Sequence, residues 1–458
     1  MASPSAIVPE LTLGRILRLW WPLAASWLCM GAELPIFTAF VARLPESEVH
    51  LAAYGSLVFP IALLVEAPVI MLLAASTALC VDRPSTARVH RFMMLSGAAL
   101  TLIHLVLCVT PLYGFVARSL LGVPPEVVGP ARLGLTIMLP WTWAIAHRRF
   151  HQGLLIRAER SREIGLGTLV RVLTLTLTLA VAAGTTRWPG IAVGTTGVAL
   201  AVCVEAVFVR WRVGPLLRTL PERDPDRAPL TTRSFLHFYL PLALTPLLTL
   251  LNQPLGSAAM SRMPRALASL AAWPPVHGFV FLPRSLGFAF NEVVVALLHQ
   301  PGAAPALRRF CALIAGGTVT LLVLAAVTPF ADLWFSSLQG LSPELAGLAG
   351  GGLLFAALLP GFQALQSWYQ GVLVHARRTR GVTEAVGVYV TVCAALLWLG
   401  TRWKPLAGIH FTLLAFTLGA AVQTLWLARR CARLTPDPAC GPDDPASEGS
   451  GEAQPGVS

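Results

Sequence analysis

The chain has 458 residues, of which 55% are apolar and only 12% charged, and its mean hydropathy is +0.68. A soluble domain carries about 25% charged residues, so an aqueous surface of ordinary size is excluded. Collagen, coiled coil, disordered chain and disulfide-rich secreted domain fall on the same grounds. The composition is that of a polytopic membrane protein.

The formal net charge of +12 does not call for nucleic acid. The basic residues fall in short clusters between apolar runs, the pattern of cytoplasmic membrane loops. Nearly all are arginine, with Lys404 the only lysine. Eight cysteines (Cys29, Cys80, Cys108, Cys203, Cys311, Cys393, Cys431 and Cys440) include no CxxC pair, and most sit within apolar runs. Neither a zinc site nor a disulfide framework is expected from them. The first apolar run lacks a small-residue cleavage site, so no cleavable signal is expected.

A helix needs roughly 20 apolar residues to cross the hydrocarbon core. Twelve such stretches occur, at 14–42, 51–80, 92–116, 127–152, 163–186, 190–211, 234–256, 270–298, 307–330, 345–374, 381–400 and 407–428. With the N-terminus in the cytoplasm, basic residues favour the inner segments roughly three to one, which predicts both termini inside. The tally counts Arg148 and Arg149 as inner-loop residues. Residues 434–458, rich in Pro, Gly, Ser and acid, read as a disordered tail.

An internal repeat with an offset near 218 residues organises the chain. Arg91-Phe92 returns as Arg309-Phe310, Val109-Thr110-Pro111 as Val327-Thr328-Pro329, and Pro22-Leu23-Ala24 as Pro241-Leu242-Ala243. Gln152-Gly153 within Phe150–Leu155 maps onto Gln370-Gly371 within Trp368–Leu373. The predicted architecture is all-α: about twelve transmembrane helices in two like-oriented six-helix halves. Their bounds are 1–212 and 234–433, with a polar linker at 213–233. Two such bundles meet near the bilayer midplane, and rocking them gives alternating access.

Ionisable groups inside spans cost roughly 2.5–3.5 kcal/mol each and need a reason. Glu33 lies deep in the first helix beside Pro35, whose missing donor bends the helix and exposes carbonyls. It is a candidate proton or sodium site, against the alternative of a carboxyl satisfied by a neighbouring helix. Glu66 sits mid-span in helix 2, and Arg284 follows a proline in helix 8. They read equally as an ion pair that breaks on opening, a static pair, or, for Arg284, an anion site. Asn252, Gln253, His277, Gln363 and Gln366 are candidate cavity polar groups. Glu205 and Glu292 are expected near helix ends, with snorkelling or a loop partner, and the stem of Arg171 is long enough to reach the interface. His104 reads as a hydrogen-bonded packing residue. No nucleotide loop, GxSxG or HExxH motif occurs, so neither ATP-driven transport nor an enzyme is expected, and no cofactor beyond a coupling H+ or Na+.

Several segments resemble a known superfamily. They are the acid Glu33, the stretch from Gly31 through Gly55 with Leu51-Ala52-Ala53-Tyr54-Gly55, the start of helix 7 at Phe238–Leu244, and the repeated Gln-Gly-x-Leu with its basic tail. The chain looks like the MATE-like branch of the multidrug/oligosaccharidyl-lipid/polysaccharide (MOP) flippases, and is most similar to the progressive ankylosis (ANK) family. The resemblance implies V-shaped lobes, export from the cytoplasm and cation coupling at Glu33. It also implies efflux of an anion such as pyrophosphate, ATP or citrate, although Thr38 stands where those relatives carry Arg. A MATE-type drug antiporter, a lipid-linked sugar flippase and a non-transporting scaffold are the alternatives. A monomer in the bacterial inner membrane is expected, its partners being the lipid bilayer and a small-molecule substrate.

Overall fold

The computed structural model describes residues 11–225, 229–300, 302–376 and 378–433. The tail expected at 434–458 and Cys440 lie outside them. Among the described residues the chain is all-helical, and eleven helical segments are long and apolar enough to cross a membrane. They are α1 (Leu13–Val41), α2 (Ser47–Leu79), α3 (Arg83–Val109), α5 (Ser161–Thr185), α6 (Gly190–Thr219), α7 (Thr232–Met260), α8 (Ala266–Leu297), α9 (Ala303–Val327), α10 (Pro343–His375), α11 (Arg380–Trp403) and α12 (Gly408–Ala432). The remaining expected span, α4, is helical over Pro125–Ile137 and Leu139–Arg157. It is less apolar because Arg148, Arg149, His147 and His151 lie within it. The last turns of α6 run to Thr219, into the segment read from sequence as linker.

Helix starts follow ordinary capping chemistry. Asp82 and Thr231 close capping boxes with Ser85 and Ser234 at the heads of α3 and α7, and Pro125 and Pro343 open α4 and α10. The consequential features are breaks inside spans. Helix α1 is interrupted at Ala32, between Leu13–Gly31 and Glu33–Val41, and α7 at Leu251, between Thr232–Leu250 and Asn252–Met260. Proline clashes with the carbonyl four residues before it and supplies no donor. Pro35 and Pro254 place that conflict at Gly31 and Leu250, at each break.

Helix α8 is buried on nearly every side, packed among α1, α2 and α10. The halves also exchange contacts. The first half of α1 lies on α8 and α9, where the Trp20 indole donates to the Leu286 carbonyl at 3.0 Å and meets Phe310 edge-on. The first half of α7 lies on α2 and α3, where the Tyr239 hydroxyl donates to the Pro68 carbonyl at 2.6 Å and Phe235 meets Phe92.

The repeated Gln-Gly has a packing reason. A Cβ on Gly153 would stand 1.9 Å from Ser76 Oγ and 2.3 Å from the Leu73 carbonyl oxygen, so α4 and α2 touch backbone to backbone. A Cβ on Gly371 would stand 2.5 Å from Val294 Cγ1, where α10 crosses α8. Overpacking typically costs about 1–3 kcal/mol. Gly153→Ala is therefore expected to lower the thermal unfolding temperature in detergent more than Gly371→Ala, because a backbone oxygen cannot move aside as a valine methyl can. Equal shifts would contradict this.

Candidate functional site

The break in α1 leaves Glu33 as the first residue of a nine-residue half-helix, facing the interior of the N-terminal half. Its carboxylate is paired with Arg171 of α5. Arg171 also lies 3.4 Å from the Glu205 carboxylate of α6, which Arg148 of α4 contacts at 2.6 Å. The Gln152 amide donates to the other Glu205 oxygen at 3.2 Å. Glu205 is fully buried, and Arg148 and Arg171 are each 5% exposed. These groups form a continuous chain, Glu33–Arg171–Glu205–Arg148, in the middle of apolar helices. A charge in such surroundings persists only when paired and hydrogen-bonded.

Glu66 of α2 and Arg149 of α4 join this cage without an ion pair to another described residue within 4 Å. Glu33, Glu66, Arg148, Arg149 and Arg171 share a cavity of about 220 Å³ with Tyr54, Trp141, His277 and Phe281. The cage holds three carboxyl groups and three guanidiniums.

The C-terminal half repeats the cage with different residues. At the repeat offset, Glu33 corresponds to Asn252, Glu66 to Arg284, Arg148 to Gln366, Arg149 to Ser367, Arg171 to Tyr389 and Glu205 to Gln423. Asn252 likewise opens the half-helix that follows a break. Asn252, Arg284, Ser367, Tyr389 and Gln423 line a larger cavity of about 490 Å³, with Gln253, His277, Gln363 and Glu292. Arg284 donates to Gln363 Oε1 at 3.2 Å and lies over the Phe288 ring. Among the described residues neither amide atom of Asn252 makes a well-formed hydrogen bond, although the residue is 5% exposed. One cage is therefore densely charged, and its counterpart is neutral except for Arg284 and Glu292.

Several expectations change here. Glu66 and Arg284 do not pair: equivalent positions on α2 and α8 turn each toward its own half's cavity. Glu205 does not snorkel and Arg171 does not reach an interface, because both are buried in the charge chain. Arg148 and Arg149 are no loop residues, since α4 continues to Arg157. The carbonyl of Pro35 itself accepts from Thr38 Oγ1 and Gln339 Nε2. Gln366 lies outside both cavity linings, its amide donating to the Ala420 carbonyl and Thr424 Oγ1 and tying α10 to α12. His277 lines both cavities, between the rings of Trp273 and Phe281. His104 is buried with Nδ1 2.9 Å from Thr142 Oγ1, a packing role.

Arg148, Arg149, Arg171 and Glu205 were not legible as a site from sequence. The repeat supplied one signal: Glu33-Leu34-Pro35 aligns with Asn252-Gln253-Pro254, so an acid and an amide take the same place before a proline.

The architecture is that of known transporters. A multidrug-resistance MATE family transporter of the MOP superfamily in an inward-facing conformation superposes with TM-score 0.69 at 14% identity, covering 93% of this chain and 99% of that one. A MOP superfamily transporter from Pyrococcus furiosus, described as having a binding pocket of reverse polarity, gives 0.62 at 16% identity over 95% and 99%. The lipid II flippase MurJ in an inward closed conformation gives 0.68 at 14% identity over 90% and 87%. No protein-family model and no curated protein matches the chain, so the narrower ANK resemblance rests on the residues quoted above.

Removing one partner of a buried ion pair costs about 3–5 kcal/mol, while replacing both by neutral groups costs far less. Arg148→Ala should therefore destabilise the protein strongly. Arg148→Gln combined with Glu205→Gln, which places at both positions the side chain found at their repeat equivalents, Gln366 and Gln423, should recover much of the loss in a detergent thermal melt. A double variant no more stable than Arg148→Ala would refute the equivalence of the two cages. The membrane fold, common to MATE transporters and MurJ, thus encloses two repeat-related cavities of opposite chemical character.

Proposed function

We propose that the protein is a secondary transporter working by alternating access, with proton coupling in the N-terminal cage and an anionic substrate in the C-terminal cavity. The observation that carries this reading is the divergence of the two repeated cages. Where one half holds a Glu33–Arg171–Glu205–Arg148 chain, the other holds amides, a hydroxyl, a phenol and the single carboxyl of Glu292 around one guanidinium, Arg284. Amides and hydroxyls supply adaptable hydrogen bonds, and Arg284 supplies the charge that orients a carboxylate or phosphate.

Protons fit the N-terminal cage better than sodium. Each of its carboxylates is near a guanidinium, and a metal ion would have to enter among three positive charges. Glu66, which has no ion pair among the described residues, is the group whose protonation costs no existing pair; Glu33 is the group whose protonation would release Arg171. His277 borders both cavities and so can register the state of one in the other. A scaffold protein is disfavoured because its mid-span charges would be locked in static pairs with no space between, whereas Glu66 and Arg284 face open volume. Localisation in a bacterial inner membrane with both termini cytoplasmic, two lobes divided near residues 213–233, and export as the direction complete the proposal.

A lipid-linked anion is the second reading. A groove of about 390 Å³ beside the first half of α1, lined by Leu28, Leu282, Leu286, Leu321 and Phe330, has the character to hold an acyl or prenyl chain.

The test is flux into inside-out vesicles with labelled pyrophosphate and citrate, beside a cationic dye and a fluorescent anionic lipid, with and without a proton gradient. Gradient-dependent anion uptake is expected, falling roughly tenfold or more in Arg284→Gln, while Glu66→Gln should abolish the response to the gradient. Wild-type anion flux in Arg284→Gln, or dye uptake alone, would sink the substrate assignment. Anionic-lipid transfer without free-anion uptake would favour the second reading.

A further inference from the structure

At the end of the bundle opposite Leu13 and Ala432, two arginines cross between the halves in the same way. Arg43, just past the second half of α1, donates through Nη2 to the Ser337 and Leu338 carbonyls at 2.9 Å each, and through Nη1 to the Ala39 carbonyl of its own helix. Arg262, just past the second half of α7, donates through Nη2 to Ser119 and Leu120 at 3.1 and 2.8 Å. Through Nη1 it reaches Leu121 at 3.0 Å and the Ala258 carbonyl of its own helix at 2.7 Å. Arg43 and Arg262, Ala39 and Ala258, and the two acceptor segments are all repeat equivalents.

The acceptors are the carbonyls ending two short π-helical segments, Phe115–Leu120 and Leu333–Leu338. Helix C-termini present unpaired carbonyls and a partial negative charge, which a guanidinium satisfies with several donors at once. Each segment then turns through a glycine with positive φ, Gly122 at 66° and Gly340 at 72°. A Cβ there would lie 3.1 Å from Arg262 Cζ or 3.0 Å from Arg43 Cζ, so glycine also leaves room for the guanidinium. Beside the Arg43 contact, Gln339 bonds Thr38 and the Pro35 carbonyl.

We propose that Arg43 and Arg262 are paired latches sealing this end of the molecule, and that the half-helices carrying them are the levers that release them. Glu33–Val41 has Glu33 at one end, in the charged cage, and Arg43 two residues past the other. Asn252–Met260 has Asn252 at one end, in the substrate cavity, and Arg262 two residues past the other. At 1.5 Å per residue each lever is about 13 Å long. The breaks at Ala32 and Leu251 let each move without carrying the rest of its span. A proton at Glu33 or an anion beside Asn252 therefore acts on a latch through about two and a half rigid turns of helix, and releasing both latches opens this end. The release clause rests on the transporter reading above; the latch does not.

The test is hydrogen–deuterium exchange of the full chain in lipid nanodiscs. Arg43→Ala should speed exchange across 333–341, and Arg262→Ala across 115–123, each in the opposite half and at least about tenfold, the scale of losing charge-assisted hydrogen bonds. Arg43→Lys keeps the charge but not the forked donor and should fall between, which covers the case in which the alanine variant does not fold. Glu33→Gln should change exchange across 333–341 from a cavity it does not share with that segment. Unchanged exchange in folded Arg43 and Arg262 variants would overturn the latch, and an unaltered 333–341 in Glu33→Gln would overturn the lever. Faster exchange in the latch variants of a protein that moves no anion, dye or lipid would retire the transport reading while upholding the latch.

Discussion

The contact on which the interior depends is that between Glu205 and two arginines from different helices. A carboxylate with no solvent exposure holds Arg148 of α4 and Arg171 of α5, and Arg171 in turn holds Glu33 at the break in α1. In a medium of low dielectric the cost of each charge is met only by the next one, so the four groups fix the relative placement of four helices. Glu33 could not sit at that depth without Arg171, and Arg171 could not without Glu205. The break at Ala32 matters for the same reason. It frees the start of a helix in the membrane interior, where the partial positive charge of its first turn favours a carboxylate.

Duplication gave the C-terminal half the same helix breaks and glycine contacts but not the same charges. Gln366 stands where Arg148 does and bonds the Ala420 carbonyl and Thr424; Gln423 stands where Glu205 does and faces the cavity. Around this cavity neutral side chains remove the mutual dependence described above: α10 is tied to α12 by the two hydrogen bonds of Gln366, and the ion pair between α11 and α12, Glu384 with Arg430, lies outside the cavity lining. The cavity is correspondingly larger, about 490 Å³ against about 220 Å³. A site that must admit and release a solute is better built from groups that lose little when a partner leaves.

Much of the fold was legible in the sequence because membrane spans declare themselves by length and apolarity, and because the collinear repeat ties the two halves together. Glu33, Glu66 and Arg284 stood out as charges in otherwise apolar runs. Arg148, Arg149 and Glu205 did not, since they lie toward the polar ends of their spans, where the hydropathy pattern cannot separate the last buried turns from the loop. Only the continuation of α4 to Arg157, nine residues beyond Arg148, shows that these charges are interior. The contacts of Arg43 and Arg262 were illegible for another reason: their partners are backbone carbonyls, which carry no residue signature. Gly122 and Gly340 are the nearest thing to one.

These features meet in the half-helices Glu33–Val41 and Asn252–Met260. Each is too short to hold its position by its own hydrogen bonds, so what touches its two ends decides where it sits. At one end that is a cage carboxylate or a cavity amide, and at the other an arginine bound to the opposite half. Because Glu33 and Asn252 are equivalent in place but opposite in chemistry, one mechanical element can answer to two different inputs. An ion would act through the charged half and a solute through the neutral one, each pulling on the same kind of latch. Opening would then require both arginines to be released, since either one remaining still ties the halves together. On the proposed reading this is a physical route to coupling in which the ion and the solute never share a binding site.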